Sequence, residues 1–358
     1  MKDFFQHRDE TNTEKMRQII SNFPSFAMEF FVGIATRTSP LTRLNYAYDL
    51  RIFFDYLTKY RCKGVTIAEI ALDDLKNLSA FDIEAYLEYL SSYTFEGKKS
   101  SCNDRAKERK LSSVRSFFRY FYKKEKLKEN ITAKVDMPKI HNKSIVRLEV
   151  DEVVKLLNQV EGGEMPTPQQ RVYHDLTKIR DKAMLTLFLG TGMRISECVG
   201  LNQSDIDFTL NGLTVTRKGG DKTILYFSEE VANALREYID WIQEQIVSKT
   251  KWGMKIANTQ KTSDPLFFSV QGKRISVRAV QDLVEKYAKI ISPLKKISPH
   301  KLRSTYGTSL YHETQDIYVV ADVLGHKDVN TTKKHYAAMS DEIRRNAASK
   351  VKLRDDVD

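Results

Sequence analysis

The amino-acid sequence predicts a mainly α-helical protein of two domains, with a small antiparallel β-sheet in the C-terminal domain. The chain has 358 residues, a length that suits two domains of ordinary size. Apolar residues recur at helical spacing along most of it, whereas strand-like runs are short and confined to 213–216 and 223–227. A polar stretch at 130–147, with Pro138 and no clear periodicity, is interpreted as the linker between the domains.

The first part of the chain predicts an arm followed by a helical domain. Residues 1–21 are polar and charged, and they fit either a short helix or a loose N-terminal arm. Residues 22–129 predict an all-helical domain, because their apolar residues follow helical periodicity. Its longest expected helix covers 41–59 and its most basic helix covers 103–126. The buried stripe expected on the basic helix consists of Leu111, Val114, Phe117, Phe118 and Phe121.

The charge of the chain predicts an anionic partner. The formal net charge is +11, and the isoelectric point is about 9.3. Residues 101–150 hold fourteen lysines and arginines against six aspartates and glutamates, a net charge of +8. A solvated lysine-rich helix explains this composition equally well, but the position beside the linker favours a DNA-facing helix with a basic connector. The candidate DNA contacts are Arg43, Arg51, Arg105, Lys107 and Arg115.

Other features narrow the class of protein. A membrane surface is the alternative anionic partner, yet no apolar run approaches the length of a membrane span, and the first residues are too polar for a signal peptide. Cys62, Cys102 and Cys198 lie far apart without a Cys-x-x-Cys pair, which indicates reduced thiols and no zinc site. We therefore expect a cytoplasmic protein without membrane insertion.

Residues 148–339 predict the second domain. A buried helix is expected at 179–189. Gly192 follows it and lets the backbone turn, so that the next helix begins beside Arg194. The polar stretch 249–262 predicts a surface loop.

Two arginines, two histidines, a lysine and a tyrosine in this domain make a set suited to cutting a phosphodiester. An arginine fork matches two non-bridging phosphate oxygens, and fixed positive donors stabilise charge that develops in the transition state. Flanking cations ease the ionisation of a tyrosine, whose ordinary pKa is about 10. A lysine at a hairpin tip can give a proton to the leaving 5′ oxygen, and no residue of the set demands a metal. The six residues are Arg194, Lys218, His300, Arg303, His326 and Tyr336.

The motifs around these residues resemble those of the tyrosine recombinase and phage-integrase family, most closely its Xer branch. The sequence GTGMRISE at 190–197 matches the box around the family's first arginine, HKLR at 300–303 matches HxLR, and LGH at 324–326 matches the triplet before the nucleophile. Lys218 takes the place of the hairpin lysine and Tyr336 that of the nucleophile. Each residue alone has an ordinary structural explanation, but together they occur in the family's order.

The resemblance implies a reaction and a role for each residue. Members of the family join a tyrosine oxygen to a 3′-phosphate and exchange DNA strands through a Holliday junction, without a cofactor. Tyr336 would then be the nucleophile, and Lys218 the acid for the leaving group. Arg194 and Arg303 would clamp the phosphate.

The same resemblance gives supporting roles to three more residues, and this sequence departs from the family in three places. His300 would be a general base or orienting group, His326 a hydrogen-bond donor to phosphate, and Glu197 a support for the network.

Ser304 stands where many relatives have histidine. The spacing between the last histidine and the tyrosine is one residue longer than in the commonest Xer pattern. Lys222 is a second lysine in the hairpin, although Lys218 matches the motif position.

The resemblance also implies an architecture and an assembly. Residues 22–129 would be a SAM-like core-binding domain, and 148–339 the catalytic domain, together forming a C-shaped clamp on double-stranded DNA. Residues 340–358 fit a helix and tail that dock on a neighbouring protomer, or equally a solvated tail. The expected assembly is a dimer on each recombination site and a tetramer in the synapse, in a bacterial nucleoid. An activating protein partner is not specified by the sequence.

Several alternatives stay open. An integrase or excisionase of a mobile element shares the fold and chemistry with an Xer-like enzyme for chromosome or plasmid dimer resolution. A type IB topoisomerase shares the mechanism, but a recombinase fits the length better. From a different class, the chain fits a DNA-binding regulator that has lost catalysis on the same scaffold. A basic cytoskeletal or membrane-surface protein would account for the charge but not for the order of the motifs.

Overall fold

The computed structural model describes residues 4–139, 146–217, 219–326, 328–330 and 332. The chain divides into two compact units, one formed by the described residues up to 139 and the other by those from 146 onward. Both units are mainly helical, and each contains a small antiparallel sheet.

The N-terminal unit is a group of helices with one short hairpin. Its helices are α1 (Phe4–Ile20), α2 (Ala27–Gly33), α3 (Pro40–Tyr60), α4 (Leu72–Lys76), α5 (Ala80–Tyr89) and α6 (Asp104–Lys123). Between α5 and α6, strand β1 (Tyr93–Phe95) pairs in antiparallel register with β2 (Lys98–Ser100). The helices predicted at 41–59 and 103–126 are confirmed as α3 and α6.

Aromatic side chains fill the core of this unit. Phe30 of α2 meets Phe117 of α6 edge to face, with ring centroids 5.1 Å apart, and Phe54 of α3 meets the same ring at 5.7 Å. The stripe predicted on α6 is confirmed as the buried face of that helix. The α2, α3 and α6 helices therefore pack around one shared aromatic cluster.

The described part of the predicted arm, from residue 4 onward, belongs to this domain. The α1 helix lies along α3, and Met16 and Ile20 in its last turns are buried in the same core. These two apolar residues are four apart and so share one face of the helix. The polar composition of the segment obscures this short stripe, which is why the sequence left both a short helix and an arm open.

A buried charge cluster joins α3 to α6. Asp49 is fully buried in the middle of α3, between apolar neighbours. Its carboxylate accepts hydrogen bonds from Arg109 Nη1 at 2.6 Å, Lys110 Nζ at 3.1 Å and Ser113 Oγ at 2.8 Å. Since a buried carboxylate needs such partners, the cluster fixes the rotation of the basic helix relative to α3.

The C-terminal unit contains more helices and a three-stranded sheet. Its helices are α7 (Val150–Gly162), α8 (Pro168–Thr191), α9 (Ile195–Gly200), α10 (Glu229–Val247), α11 (Lys251–Gln260), α12 (Val277–Ile291), α13 (Pro299–Thr314) and α14 (Ile317–Leu324). The strands are β3 (Ile206–Asp207), β4 (Gly212–Thr216) and β5 (Lys222–Tyr226), in the order β3-β4-β5 and all antiparallel. The two strand-like runs predicted from sequence are thus confirmed as the β4–β5 hairpin.

The α8 helix is the centre of this unit and packs against α7, α10 and α13. Its second half is buried on nearly all sides, which confirms the predicted buried helix. It ends at Gly192, whose φ of 60° is left-handed. Within the described parts of both units, no helix combines the length and apolar character that crossing a membrane requires.

The surface loop predicted at 249–262 is wrong, because most of it forms α11. Thr250 caps the helix by accepting a hydrogen bond from the Gly253 N–H at 3.0 Å. Trp252 packs on Trp241 with ring centroids 4.9 Å apart, and its indole Nε1 donates to the carbonyl oxygen of Ser269 at 2.9 Å. Trp252 and the fully buried Ile256 thus anchor a helix that has several polar residues.

Candidate active site

The end of α8 and the start of α9 place Arg194. A Cβ atom on Gly192 would lie 2.3 Å from Tyr306 Cδ1, so both the left-handed backbone and the close packing require glycine there. The Arg194 N–H donates to Glu197 Oε2 at 2.8 Å, and its Nη1 donates to Glu197 Oε1 at 2.8 Å. The Glu197 side chain is 2% exposed, so a buried carboxylate holds the first arginine in place.

Arg303 reaches the same turn from α13. Its side chain is buried, its Nη1 donates to the Gly192 carbonyl oxygen at 2.7 Å, and its Nη2 donates to the Leu324 carbonyl oxygen. His300 lies one turn earlier on α13 and is exposed. Ser304 donates within the same helix, to the carbonyl oxygen of His300 at 3.1 Å.

The C-terminal end of α14 accepts hydrogen bonds from two further arginines. Arg217, the residue after β4, donates to the carbonyl oxygens of Val323 at 3.0 Å and Leu324 at 2.9 Å. Arg194 Nη2 donates to the carbonyl oxygen of Gly325 at 3.0 Å. Carbonyls at the end of a helix lack partners within the helix and carry partial negative charge, so this end attracts guanidinium groups. Three arginines from three segments are therefore gathered at one turn.

His326 follows this turn and lines a cavity of about 550 Å³. Its Nδ1 lies 2.8 Å from Thr332 Oγ1, which orients the imidazole ring. Arg194, Arg217 and Lys222 line the same cavity. The cavity is thus bordered by basic side chains from the start of α9 and from the hairpin, and also by the carboxylates of Asp221, Asp322 and Asp328. The guanidinium groups among them can bind an anionic group such as a phosphate.

Burial changes the electrostatics of the hairpin arginine. The pKa of Arg217 is lowered, first because burial disfavours its charge and also because Arg194 repels it, while Glu197 and Asp322 act in the opposite direction. Glu197 Oε1 lies 3.7 Å from Arg217 Nη1. One buried carboxylate therefore faces two of the three guanidinium groups.

The structure describes four of the six predicted site residues. Arg194 and Arg303 are brought together at the Gly192 turn, and His326 lines the cavity beside Arg194. Lys218 and Tyr336 lie outside the described residues. Lys222 pairs with Thr216 at the top of the hairpin and lines the cavity. The sequence interpretation missed Arg217. The one feature of the sequence that could have indicated it is its position directly before the expected lysine.

The residues predicted to contact DNA have different surroundings. Arg43 donates from Nη1 to the carbonyl oxygens of Ala35 and Thr38, both at 2.7 Å. Arg115 donates to the carbonyl oxygens of Thr132, at 3.2 Å, and Val135. These two arginines therefore tie loops of their own unit.

The other three candidate DNA contacts are half-buried or exposed. Arg51 Nη1 is 3.1 Å from Glu96 Oε1, and its guanidinium lies over the ring of Phe95. Lys107 donates to Ser91 Oγ at 2.7 Å. Arg105, in the first turns of α6, is exposed. Of the five candidates, Arg105 and Lys107 lie on the amino-terminal half of the basic helix.

Known proteins match both units of the chain. Residues 146–342 match the phage integrase family, and residues 29–125 match the phage integrase N-terminal SAM-like domain. The tyrosine recombinase XerC of Caldanaerobacter subterraneus subsp. tengcongensis is 33% identical over 334 residues, covering 90% of this chain and 84% of that protein. The tyrosine recombinase XerC of Syntrophus aciditrophicus is 30% identical over 307 residues, covering 86% and 90% of the two chains.

Solved structures share the fold at lower sequence identity. The XerH recombinase bound to a palindromic difH substrate, in a post-cleavage complex, superposes with a TM-score of 0.62 and 19% identity over 87% of this chain and 80% of that one. A lambda integrase tetramer bound to a Holliday junction gives a TM-score of 0.57 and 18% identity over 87% and 76%. The family models, the relatives and the fold agree: this chain belongs to the phage integrase family and is a tyrosine recombinase related to the Xer enzymes.

Proposed function

We propose that this protein is a site-specific recombinase of the Xer type, which resolves dimers of a chromosome or plasmid by cutting and rejoining double-stranded DNA. The observation that carries the proposal is the gathering of Arg194, Arg217 and Arg303 at the end of α14, beside the buried Glu197. Arg194 and Arg303 are fixed donors that would act on a phosphate without reorganising during the reaction, and each such donor is typically worth about 2.7–4 kcal/mol of transition-state stabilisation.

The arginines would hold the scissile phosphate between them. Arg303 is oriented by two backbone carbonyls, and Arg194 by Glu197 and Gly325. Both guanidinium groups are therefore preorganised before DNA binds. His326, oriented by Thr332, would donate a hydrogen bond to a non-bridging oxygen. His300, exposed on α13, would act on the nucleophile as a base or an orienting group.

The reaction would be a transesterification. The Tyr336 oxygen attacks phosphorus and loses its proton to a base, for which His300 is the candidate. The bond from phosphorus to the 5′ oxygen breaks, and a proton from Lys218 goes to that leaving oxygen. The product is a 3′-phosphotyrosine bond and a 5′-hydroxyl group. Attack by a 5′-hydroxyl of the partner strand reverses the step, because the covalent intermediate conserves the energy of the broken phosphodiester. Two such exchanges pass through a Holliday junction.

The assembly would follow from the symmetry of the DNA site. We propose that a dimer binds each recombination site, which consists of two inverted half-sites, and that two dimers form a tetramer in the synapse. The assembly would act in the bacterial cytoplasm. Residues 340–358 would dock on the neighbouring protomer. The core-binding domain proposed here begins with α1 and includes residues 131–135, because Met16, Ile20, Ile131 and Val135 are buried in one core. The linker predicted at 130–147 therefore starts later in the chain, and the catalytic domain proposed here covers 148–339. An integrase of a mobile element and an inactive regulator are the alternatives.

A plasmid assay tests the proposal. Covalently captured fragments of the source genome would identify the site, and two direct copies of that site would then be placed in one plasmid. We expect the wild-type protein to convert the plasmid into two circles and Tyr336→Phe to give none. Tyr173→Phe, an exposed tyrosine of α8, is the matched control and should behave as wild type. Recombination only between the captured site and a different sequence would favour the integrase alternative, and binding without recombination would favour the regulator.

A further inference from the structure

Arg217, at the base of the turn in the β4–β5 hairpin, ties the hairpin to the end of α14. The strands of the hairpin are anchored by the buried Leu213, Val215 and Leu225, but the tip contains Gly219 and Gly220, both with positive φ. A Cβ atom on Gly220 would meet nothing within 4 Å. The tip therefore has little packing of its own, and its position depends on what fixes its base.

Arg217 stands at that base and is tied in two directions. Its N–H donates to the Asp221 carbonyl oxygen at 2.7 Å, and the Gly220 N–H donates back to the Arg217 carbonyl oxygen at 3.1 Å, which closes the turn. Its guanidinium spans the carbonyl oxygens of Val323 and Leu324. The side chain is only 12% exposed. The turn of the hairpin and the end of α14 are thus joined by one residue.

The turn after α14 is shaped around this guanidinium. Gly325 has a φ of 61°, and a Cβ atom there would lie 2.6 Å from Arg217 Nη1 and 2.7 Å from its Cζ. The planar group therefore lies against the backbone of Gly325, in space that a side chain would fill. The carbonyl oxygen of Gly325 accepts a hydrogen bond from Arg194, so Arg217 of the hairpin and Arg194 both contact Gly325.

We propose that Arg217 is a positioning residue that sets the distance between the hairpin tip and the arginines of the site, and that it acts through the proton donor carried by the tip. This inference rests on the proposed function, in which Lys218 protonates the leaving oxygen. A lysine could keep the charge of Arg217 but could not span two carbonyl oxygens with a planar fork. Loss of Arg217 lets the tip move away, while Arg194 and Arg303 keep their own anchors at Glu197 and Gly192.

The chemistry of the leaving group separates this role from a structural one. In normal DNA, the 5′ oxygen needs a proton as its bond to phosphorus breaks. If sulfur replaces that bridging oxygen, the group leaves as a thiolate and takes no proton. A defect that concerns only the proton donor should therefore disappear on the sulfur substrate, whereas a defect in phosphate clamping or folding should remain.

The experiment compares two nicked duplexes, one normal and one with a 5′-bridging phosphorothiolate, each carrying the candidate recombination site of the protein's own genome. We expect Arg217→Ala to cleave the normal duplex roughly 10²-fold more slowly and the sulfur duplex within a few fold of wild type, as Lys218→Ala should. Arg217→Lys keeps the positive charge and is the variant less prone to misfold. Its cleavage of the normal duplex should also be slowed selectively, but by a smaller factor. Arg236→Ala, an exposed arginine of α10 paired with Glu229, is the matched control and should cleave both normally.

Four outcomes are separable. A selective defect on the normal duplex supports the inference. Equal slowing of the Arg217 variants on both duplexes overturns it, because Arg217 would then act through the fold or the clamp. Wild-type rates for these variants on both duplexes also overturn it. Absence of covalent product with wild-type protein on either duplex contradicts the proposed function itself.

Discussion

Arg303 Nη1 donates a hydrogen bond to the carbonyl oxygen of Gly192, 2.7 Å away and 111 residues earlier in the chain. Gly192 ends α8 and directs the chain toward Arg194, whereas Arg303 comes from the buried face of α13. The bond therefore couples the turn that places one arginine to the side chain of the other. Both arginines keep their relative position as long as this turn is intact.

The first prediction concerns Arg303→Lys. A lysine ammonium at this position cannot reach the carbonyl oxygens of both Gly192 and Leu324 with fork geometry, so it should not be held toward a phosphate. We expect DNA affinity to stay within a few fold of wild type, because the basic surface is unchanged. Cleavage should fall by about 10²–10³-fold, the usual effect of losing one oriented donor.

Single-turnover cleavage and DNA binding under the same conditions check this prediction. Arg278→Lys, on the exposed face of α12 beside Asp282, is the matched control and should leave both unchanged. Equal losses of binding and cleavage in Arg303→Lys would show that Arg303 serves the fold and not the reaction.

The second prediction concerns the buried cluster of the N-terminal unit. Asp49→Ala leaves Lys110, whose side chain is 7% exposed, without its carboxylate. Breaking a buried pair in this way typically costs about 3–5 kcal/mol in the free energy of unfolding. Urea unfolding measures the loss. Glu129→Ala removes the partner of the exposed Lys134 and should cost about 1 kcal/mol or less. Similar small losses in both variants would contradict a structural role for the cluster.

The third prediction is a pH dependence carried by His174. Its Nδ1 lies 3.0 Å from the Tyr287 hydroxyl, which donates its proton to Asp181, so Nδ1 must carry the hydrogen and donate to Tyr287. Nε2 is buried and has no hydrogen-bond partner among the described residues. Burial lowers the pKa of His174, and Lys286 lowers it further by repulsion. The folded protein therefore disfavours the protonated ring.

The sign of the effect follows from this lowered pKa. As pH falls below the ordinary histidine value of about 6.5, the unfolded chain binds the proton first, so stability is full above pH 6.5 and declines toward the folded pKa. His174→Asn places an amide near Nδ1 that does not titrate, and it should flatten this decline in urea unfolding between pH 7 and pH 5. His312→Asn, an exposed histidine of α13, should keep the wild-type profile. An unchanged slope in His174→Asn would refute the assignment.

The fourth prediction concerns the basic helix α6. If its amino-terminal half contacts DNA phosphates, binding should weaken steeply with salt, and each lost contact should reduce the slope of log affinity against log salt by about 0.9. We expect the double substitution Arg105→Ala with Lys107→Ala to lower the slope by one to two. Lys134→Ala, whose charge is already paired with Glu129 at 2.7 Å, should change it little. A flat salt profile for wild-type protein would contradict DNA binding by this helix.

Much of the fold could be predicted because it depends on side-chain pattern. The apolar spacing of α3, α6 and α8 marks their buried faces, and these helices are confirmed. The α11 helix was missed, and α1 was left open between a short helix and an arm, since each is anchored by only two or three apolar side chains in a polar segment. The role of Asp49 was missed because its partners lie on a different helix. A carboxylate within an apolar stripe can be recognised as a buried ion-pair partner only when the basic side chains of α6 beside it are known.

The candidate site shows more clearly which residues can be predicted from sequence and which cannot. Arg194, Arg303 and Glu197 could be found because they lie in recognisable motifs. Arg217 could not, because its partners are the carbonyl oxygens of Val323 and Leu324, and every residue has a carbonyl oxygen. The same reason explains Arg43 and Arg115, which were expected on DNA but donate to backbone carbonyls of their own unit. Hydrogen bonds from arginine side chains to backbone carbonyls cannot be predicted from a sequence pattern.

The most direct measurement is a covalent-trapping gel with nicked duplexes that carry the recombination site of the protein's own genome, in the presence of EDTA. Wild-type protein, Tyr336→Phe and the control Tyr173→Phe would be incubated with the duplex, denatured and separated. The account predicts a denaturation-resistant protein–DNA band for wild type and the control, and none for Tyr336→Phe. A band that persists in Tyr336→Phe would assign the nucleophile to another tyrosine. DNA binding by wild-type protein with no covalent band on any site would contradict the account.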